Sequence, residues 1–212
     1  MSALISKHKL VAIANPDSPR TEMFRALRTN IQFADSDRER RVLAVTSSKP
    51  GEGKSTTVSN LAVLYAQAEK KVLLVDANLR KPALHRLFSA SNRLGLTSVL
   101  SESCTIEHAV QELSVPNLSL MAAGPATVYP SEMLGSERML KLLEELRTRY
   151  DLILIDASCL LNVTDSQVLS AFCDGVVFVV RAGKVRQKEA MQAMERLEHV
   201  RAKIVGVVLN RM

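Results

Sequence analysis

The stretch VLAVTSSKPGEGKSTT, residues 42–57, constrains the fold more than any other part of the chain. Val42 to Thr46 is an apolar run of the kind that forms a buried strand, and it leads into Gly51, Gly53, Lys54 and Ser55 and then a helix expected to begin near Gly53. A strand, a small-residue loop and a helix N-terminus in that order make a phosphate-binding loop. Backbone N–H groups can approach the β- and γ-phosphates of a nucleotide, and the helix dipole favours their charge. Lys54 supplies a mobile cation, and the Ser55 hydroxyl can ligate magnesium. The expected nucleotide-binding set is therefore Ser48, Lys49, Pro50, Gly51, Glu52, Gly53, Lys54, Ser55 and Thr56. Ser48 stands where the usual pattern begins with Gly, a mild departure because the other positions and the flanking elements are intact.

Further apolar runs recur at Val72 to Asp76, Leu118 to Ala122, Leu152 to Asp156, Val176 to Arg181 and Ile204 to Asn210. They are rich in Val, Ile and Leu and do not alternate with polar residues, as expected of strands covered on both faces of a parallel sheet. Helical spacing lies between them, at Met139, Leu140, Leu142, Leu143 and Leu146 and again at Ala190, Met191, Met194 and Leu197. The alternation predicts a doubly wound α/β fold of P-loop type, with a mostly parallel sheet and helices on both faces. Before the first strand, Ser18 to Ala34 is a helix candidate with Met23, Phe24, Leu27 and Ile31 on one arc. Ala83 to Pro116 offers only short helical pieces and no strong strand.

A length of 212 residues suits one domain, expected to span 1–212 with residues 1–40 as an N-terminal helical element. No apolar run approaches the about 18 residues of a membrane span, and the first residues lack the apolar core of a secretion signal, so a cytosolic protein is expected. Cys104, Cys159 and Cys173 form no CxxC pair, which argues against a disulfide framework or a zinc site. The net charge of +6 suits an acidic partner such as a phosphorylated or carboxylate-rich tail, an anionic membrane face or nucleic acid; it equally suits a lysine excess that only maintains solubility. With 4% aromatic residues and no Trp, a stacking platform for single-stranded nucleic acid is not expected.

Two strands end in an acid. KVLLVDANLRKP places Asp76 at the C-terminal end of one, where open α/β sheets hold their ligands. YDLILIDAS places Asp156 at the end of another, the position of an acid that holds magnesium directly or through water. A strand-end Asp is often only a turn or cap residue, but two beside a phosphate loop favour a functional pair.

SSKPGEGKST, VLLVDANLRKP and LILIDAS, preceded by TEMFRALRTNIQF, together resemble the bacterial tyrosine kinases, or BY-kinases, that regulate capsule and exopolysaccharide synthesis. The likeness covers nearly the whole chain and is greatest to the separate kinase of Gram-positive bacteria, which the cytosolic tail of a membrane adaptor activates. It implies ATP and Mg2+ as cofactors and phosphoryl transfer to tyrosine. Lys54 and Ser55 would bind nucleotide and metal, Asp76 would lie near the metal and accept the tyrosine proton, and Asp156 would complete the magnesium site with Ser55 and Asp76. Asn210 and Arg211, at the end of the last strand, complete the expected nucleotide-binding set. Glu22, Arg25 and Arg28 match the family's ExxRxxR element, which joins subunits into a ring; otherwise they form a solvated helix face. The implied setting is cytoplasmic, at the inner face of the membrane once the adaptor recruits the kinase.

Three departures stand out. Asn78, a member of the expected catalytic set with Lys54 and Asp76, occupies the place of a second Asp. Ser158 and Cys159 stand where the family has Pro-Pro. There is no C-terminal tyrosine cluster, and the three tyrosines, Tyr65, Tyr129 and Tyr150, are scattered and read as structural. Two other readings remain open from the residues alone: an ATP-binding regulatory partner that transfers phosphate poorly, and a partitioning or division-site ATPase whose loop lysine would be Lys49.

Overall fold

The computed structural model describes residues 10–34 and 40–211; residues 1–9 and 35–39 of the expected N-terminal element lie outside the described residues. Two helices, α1 (Val11–Ala14) and α2 (Pro19–Phe33), precede the first strand, β1 (Val42–Ser47). The chain continues through α3 (Lys54–Gln67), β2 (Val72–Asp76), α4 (Leu84–Leu87), α5 (Leu96–Leu100) and α6 (Ile106–Ala109) to β3 (Val110–Glu112) and β4 (Leu118–Met121). It ends through α7 (Pro130–Leu134), α8 (Glu137–Arg149), β5 (Leu152–Cys159), α9 (Asp165–Ser170), β6 (Gly175–Arg181), α10 (Gln187–His199) and β7 (Ile204–Asn210). The strands form one seven-stranded sheet in the order β3-β4-β2-β5-β1-β6-β7. Every pairing is parallel except that of β3 with β4.

Each expected strand is present, and the absence of polar alternation has the anticipated cause. Val42, Leu73, Ile153 and Val176 point into one apolar layer, where Met139, Leu142, Leu143 and Leu146 of α8 meet them. Their neighbours Leu43, Leu74, Leu154 and Val177 point into a second layer, closed by Val58, Leu61 and Leu64 of α3. The short strand β3 is the one strand with no counterpart in the sequence reading, since Val-Gln-Glu is too brief and too polar to carry a strand signal, and the short helices α7 and α9 also have none.

Helix α3 is buried all round from Thr57 to Ala66 because the sheet covers one side and α1 and α2 the other. Ala12 N–H donates to Asn60 Oδ1 at 3.0 Å and fixes α1 to that helix. Helix α2 starts where expected, with Ser18 as N-cap accepting from Thr21 N–H at 3.2 Å and Pro19 in the first turn. Because β1, β2 and β5 run in the same direction, Ser47 and Asp76 end their strands at one edge of the sheet, and Asp156 lies beside Asp76 although β5 continues past the expected end at Asp156 to Cys159. The chain leaves β1 toward β2 and β4 on one side and returns through β5 to β6 on the other, which makes that edge a topological switch point. No helix among the described residues is long and apolar enough to cross a membrane.

Candidate active site

The loop after β1 takes its shape from two glycines with left-handed backbone, Gly51 at φ +81° and Gly53 at φ +98°. At Gly53 a Cβ would be strained by φ and would also lie 2.1 Å from Asn210 Nδ2, displacing that side chain from the loop. That amide donates to the Glu52 carbonyl at 2.9 Å, so the end of β7 braces the loop. Glu52 itself turns inward and is only 2% exposed. Its carboxylate accepts from the Lys49 N–H and, at 3.2 Å, from the Arg181 N–H at the end of β6. Burial raises the Glu52 pKa, and those two N–H groups partly oppose the shift. Arg181 Nη1 donates to the Gly51 carbonyl at 3.3 Å, and Lys49 Nζ meets Glu189 Oε1 of α10 at 2.6 Å. The loop is thus tied to β6, β7 and α10 before any ligand arrives.

Lys54 and Ser55 open α3, and Lys54 Nζ lies 3.7 Å from Asp156 Oδ1. Asp156 is fully buried, and neither carboxylate oxygen has a hydrogen-bond partner. Burial raises its pKa, opposed by the nearby Lys54 ammonium and the Ser55 hydroxyl. Asp76 is its direct neighbour in the β2–β5 register and is also fully buried. Burial first, and then the Asp156 charge, raise the Asp76 pKa. Its Oδ2 accepts from the Ala83 and Leu84 N–H groups at 2.9 Å each, and its Oδ1 accepts from Asn78 N–H at 3.2 Å.

Two adjacent buried acids, one with neither oxygen hydrogen-bonded and the Lys54 ammonium nearby, form an arrangement that a further cation would stabilise. Among the described residues no cluster of His, Cys, Asp and Glu is large enough to hold a metal alone. This donor set fits magnesium, which takes one or two carboxylates and completes its shell with water and substrate phosphates. Asp156 has the greater capacity for such an ion, because backbone donors already orient Asp76.

The remaining predicted residues fall into distinct places. Ser48 is buried, its hydroxyl is unpartnered and its carbonyl accepts from Leu161 N–H at 3.1 Å. Pro50 and Thr56 flank the glycine turn and the first turn of α3, and Arg211 lies exposed beyond β7. Asn78 uses its amide to close its own turn, donating to the Lys81 carbonyl at 3.0 Å. Glu22 and Arg25 pair with each other at 3.0 Å on α2, whereas Arg28 reaches inward and donates to the Leu64 carbonyl of α3 at 2.8 Å. Cys159 is buried, and burial raises its thiol pKa, so it is a poor nucleophile here.

Sequence reasoning did not find the clamp beside the site. Arg80 Nε donates to Asp165 Oδ2 at 2.8 Å and Arg80 Nη2 to Oδ1 at 3.1 Å, and Asp165 is fully buried at the start of α9. Its available signal was the polar VTDS run before a helix, which is a cap pattern and does not name a partner. Glu189 and Arg181 were equally invisible, because their contacts with the loop span 140 and 129 residues of sequence.

A parallel sheet whose first strand feeds a glycine loop and a helix N-terminus, with two acids paired across neighbouring strands, defines a P-loop nucleoside-triphosphatase fold. A family model described as an AAA domain matches residues 40–207. Tyrosine-protein kinase YwqD of Bacillus subtilis (strain 168) is 41% identical over 204 residues, covering 96% of this chain and 86% of that protein. The putative tyrosine-protein kinase CapB of Staphylococcus aureus is 36% identical, covering 93% of this chain and 86% of that protein. The crystal structure of the chimerical protein CapA2B2 superposes with a TM-score of 0.93 at 38% identity, covering 97% of this chain and 90% of that one. The chain belongs to the bacterial tyrosine kinase family.

Proposed function

We propose that the chain is an ATP-dependent protein-tyrosine kinase domain, 1–212 with residues 1–40 as a self-association element, acting in capsule or exopolysaccharide synthesis. The observation that carries this reading is the pair of buried carboxylates side by side on neighbouring strands, Asp76 and Asp156, beside Lys54 in a chain of this family. The loop amides of residues 48–56 would hold the phosphates of ATP, Asn210 braces that loop, and Arg211 beyond β7 would be a further contact. Lys54 balances the charge of the transferring phosphoryl group. Asp156, Asp76 and Ser55 hold Mg2+, which when bound neutralises phosphate charge. Asp76, oriented by three backbone N–H groups, takes the proton of the acceptor tyrosine. The Arg80–Asp165 clamp fixes the strand-end loop on which Asp76 and Asn78 sit.

Glu22 and Arg25, exposed on α2, contact a second copy, and the membrane partner is an adaptor whose acidic tail suits the +6 charge. Arg28 contributes to assembly through the fold, by holding α2 against α3. A weaker regulatory role is favoured by one feature, the uncharged Asn78 beside Asp76. A division-type ATPase is less well supported, because the ammonium of Lys49, the residue such proteins extend across a dimer, is paired with Glu189. The test is incubation with radiolabelled ATP, Mg2+, an adaptor tail and a tyrosine-rich peptide, followed by phosphoamino acid analysis. Label on tyrosine supports the kinase; bound ATP with no label supports the regulatory reading.

A further inference from the structure

The three tyrosines differ sharply in what they offer a kinase. Tyr65 lies in the last turn of α3, only 9% exposed, with its hydroxyl against the Arg28 carbonyl at 3.4 Å. Tyr150 caps α8, packs on the apolar layer beneath the sheet, and lies with its ring 5.4 Å from Lys71 Nζ. Tyr129 is 67% exposed, next to Val128 at 83%, and its hydroxyl has no partner among the described residues. An aromatic side chain left so open forgoes most of the burial that normally accounts for its use.

Its place in the fold is equally specific. Tyr129 ends the loop that leaves β4, and β4 is hydrogen-bonded to β2, whose end carries Asp76. That loop therefore lies at the same sheet edge as Lys54, Asp76 and Asp156. Both of its ends are anchored. At the base, Gly124 exchanges two 3.0 Å hydrogen bonds with Asn92, and Thr97 Oγ1 donates to the Pro125 carbonyl at 2.9 Å. On the far side, the Ser131 hydroxyl bonds to Thr164 and to Asp165, the acid that clamps Arg80. Val128 and Tyr129 are thus held out from a fixed loop, and the phenol points away from the core as a peptide acceptor would have to.

We propose that Tyr129 is a phosphorylation site of this protein, modified by a second copy of the same chain. The proposal rests on the tyrosine-kinase reading above. In the step, the Tyr129 oxygen forms a bond to the γ-phosphorus of ATP held by the other copy. The bond from that phosphorus to the β,γ-bridging oxygen breaks, ADP leaves, and the phenolic proton passes to Asp76 of that other copy. Transfer between copies follows from the side chain's exposure, since a fixed loop that turns its phenol to solvent presents it to a neighbour's site.

The experiment mixes two full-length variants: Tyr129→Phe, which keeps the catalytic residues, and Lys54→Met, which keeps Tyr129 but lacks the loop cation. ATP, Mg2+ and a tyrosine-rich peptide are present, circular dichroism confirms that both variants are folded, and phosphosites are mapped by mass spectrometry. The expected result is phosphate on Tyr129 of the Lys54→Met chain, none on that chain incubated alone, and peptide labelling by Tyr129→Phe at the wild-type rate. A labelled peptide with unmodified Tyr129 would overturn the proposal and leave the kinase reading standing. If neither the peptide nor Tyr129 acquires phosphate, both fall together. Should either variant misfold, a wild-type sample mapped in parallel separates the same outcomes, by whether Tyr129 and the peptide each carry phosphate.

Discussion

Asn78→Asp separates the two influences that meet at the end of β2. In the resting protein the amide donates to the Lys81 carbonyl at 3.0 Å and closes the turn that leads to Arg80. A carboxylate cannot donate there, and losing this partly exposed bond costs about 0.5–1 kcal/mol. It also adds a negative charge two residues from Asp76, whose carboxyl burial and the Asp156 charge already disfavour as an anion, for about 1 kcal/mol more. The sum of about 1.5–2 kcal/mol corresponds to a melting point lower by about 3–8 °C in a protein of this size. With Mg2+ and nucleotide bound, the added charge faces a cation. A tenfold gain in metal affinity contributes about 1.4 kcal/mol at saturation, and the repulsion is relieved. Thermal unfolding of both proteins, with and without Mg2+ and ATP, should therefore show a deficit that nearly closes when the ligands are added. Initial rates on a tyrosine peptide should rise, with half-maximal rate at lower Mg2+. A deficit of the same size in both conditions would mean that position 78 does not face the metal; no deficit without ligands would mean that the Asn78 turn contributes nothing.

Gly53→Ala should abolish ATP binding and cost about 1–3 kcal/mol through its left-handed φ and the clash with Asn210, whereas Gly51→Ala, with open space around it, should show only the cost of its φ, about 1–2 kcal/mol; calorimetry and urea unfolding of the pair check this. Arg28→Ala should lose about 1 kcal/mol in urea unfolding, because the Leu64 carbonyl keeps the Ala68 N–H as a second donor, while Arg25→Ala should change stability little and reduce self-association in light scattering. Burial alone would raise the Asp174 pKa, but the bidentate Arg147 guanidinium at 2.7 Å and the Val42 and Arg41 N–H groups hold it below the ordinary carboxylate value. Its contribution is then complete above about pH 4 and is lost as pH falls through the lower folded-state pKa. Asp174→Asn should be less stable than wild type by about 1.5–3 kcal/mol at neutral pH, and the gap should close in acid; a gap independent of pH would contradict this assignment.

The strand runs and the glycine loop were legible because their signals are local. Val42–Ser47 and Leu152–Cys159 are buried at every position, so their composition announces a covered sheet, and Gly51, Gly53, Lys54 and Ser55 stand next to one another in sequence. Asp76 and Asp156 could be named singly, since each ends an apolar run, but their adjacency depends on β5 entering between β1 and β2, which no spacing encodes. The bracing contacts were invisible for the same reason. Glu52 stood in the expected nucleotide-binding set, and nothing local showed that its side chain would be buried against the Lys49 and Arg181 N–H groups. Arg28 sits one helical turn from Arg25 and looked equivalent to it, but the helix rotates one toward Leu64 and the other toward Glu22.

If Lys54 and the Asp76–Asp156 pair act on one magnesium–ATP complex, the most direct measurement is label transfer from γ-labelled ATP to an acceptor tyrosine as Mg2+ is varied, for wild type, Lys54→Met and Asp156→Asn. Wild type should yield phosphotyrosine with saturable Mg2+ dependence, and Lys54→Met none. Asp156→Asn should give a rate at least about 100-fold lower, on the order of an oxyanion-type electrostatic loss, that no accessible Mg2+ concentration restores. Wild-type rates and an unchanged Mg2+ curve in a folded Asp156→Asn protein would contradict the shared site.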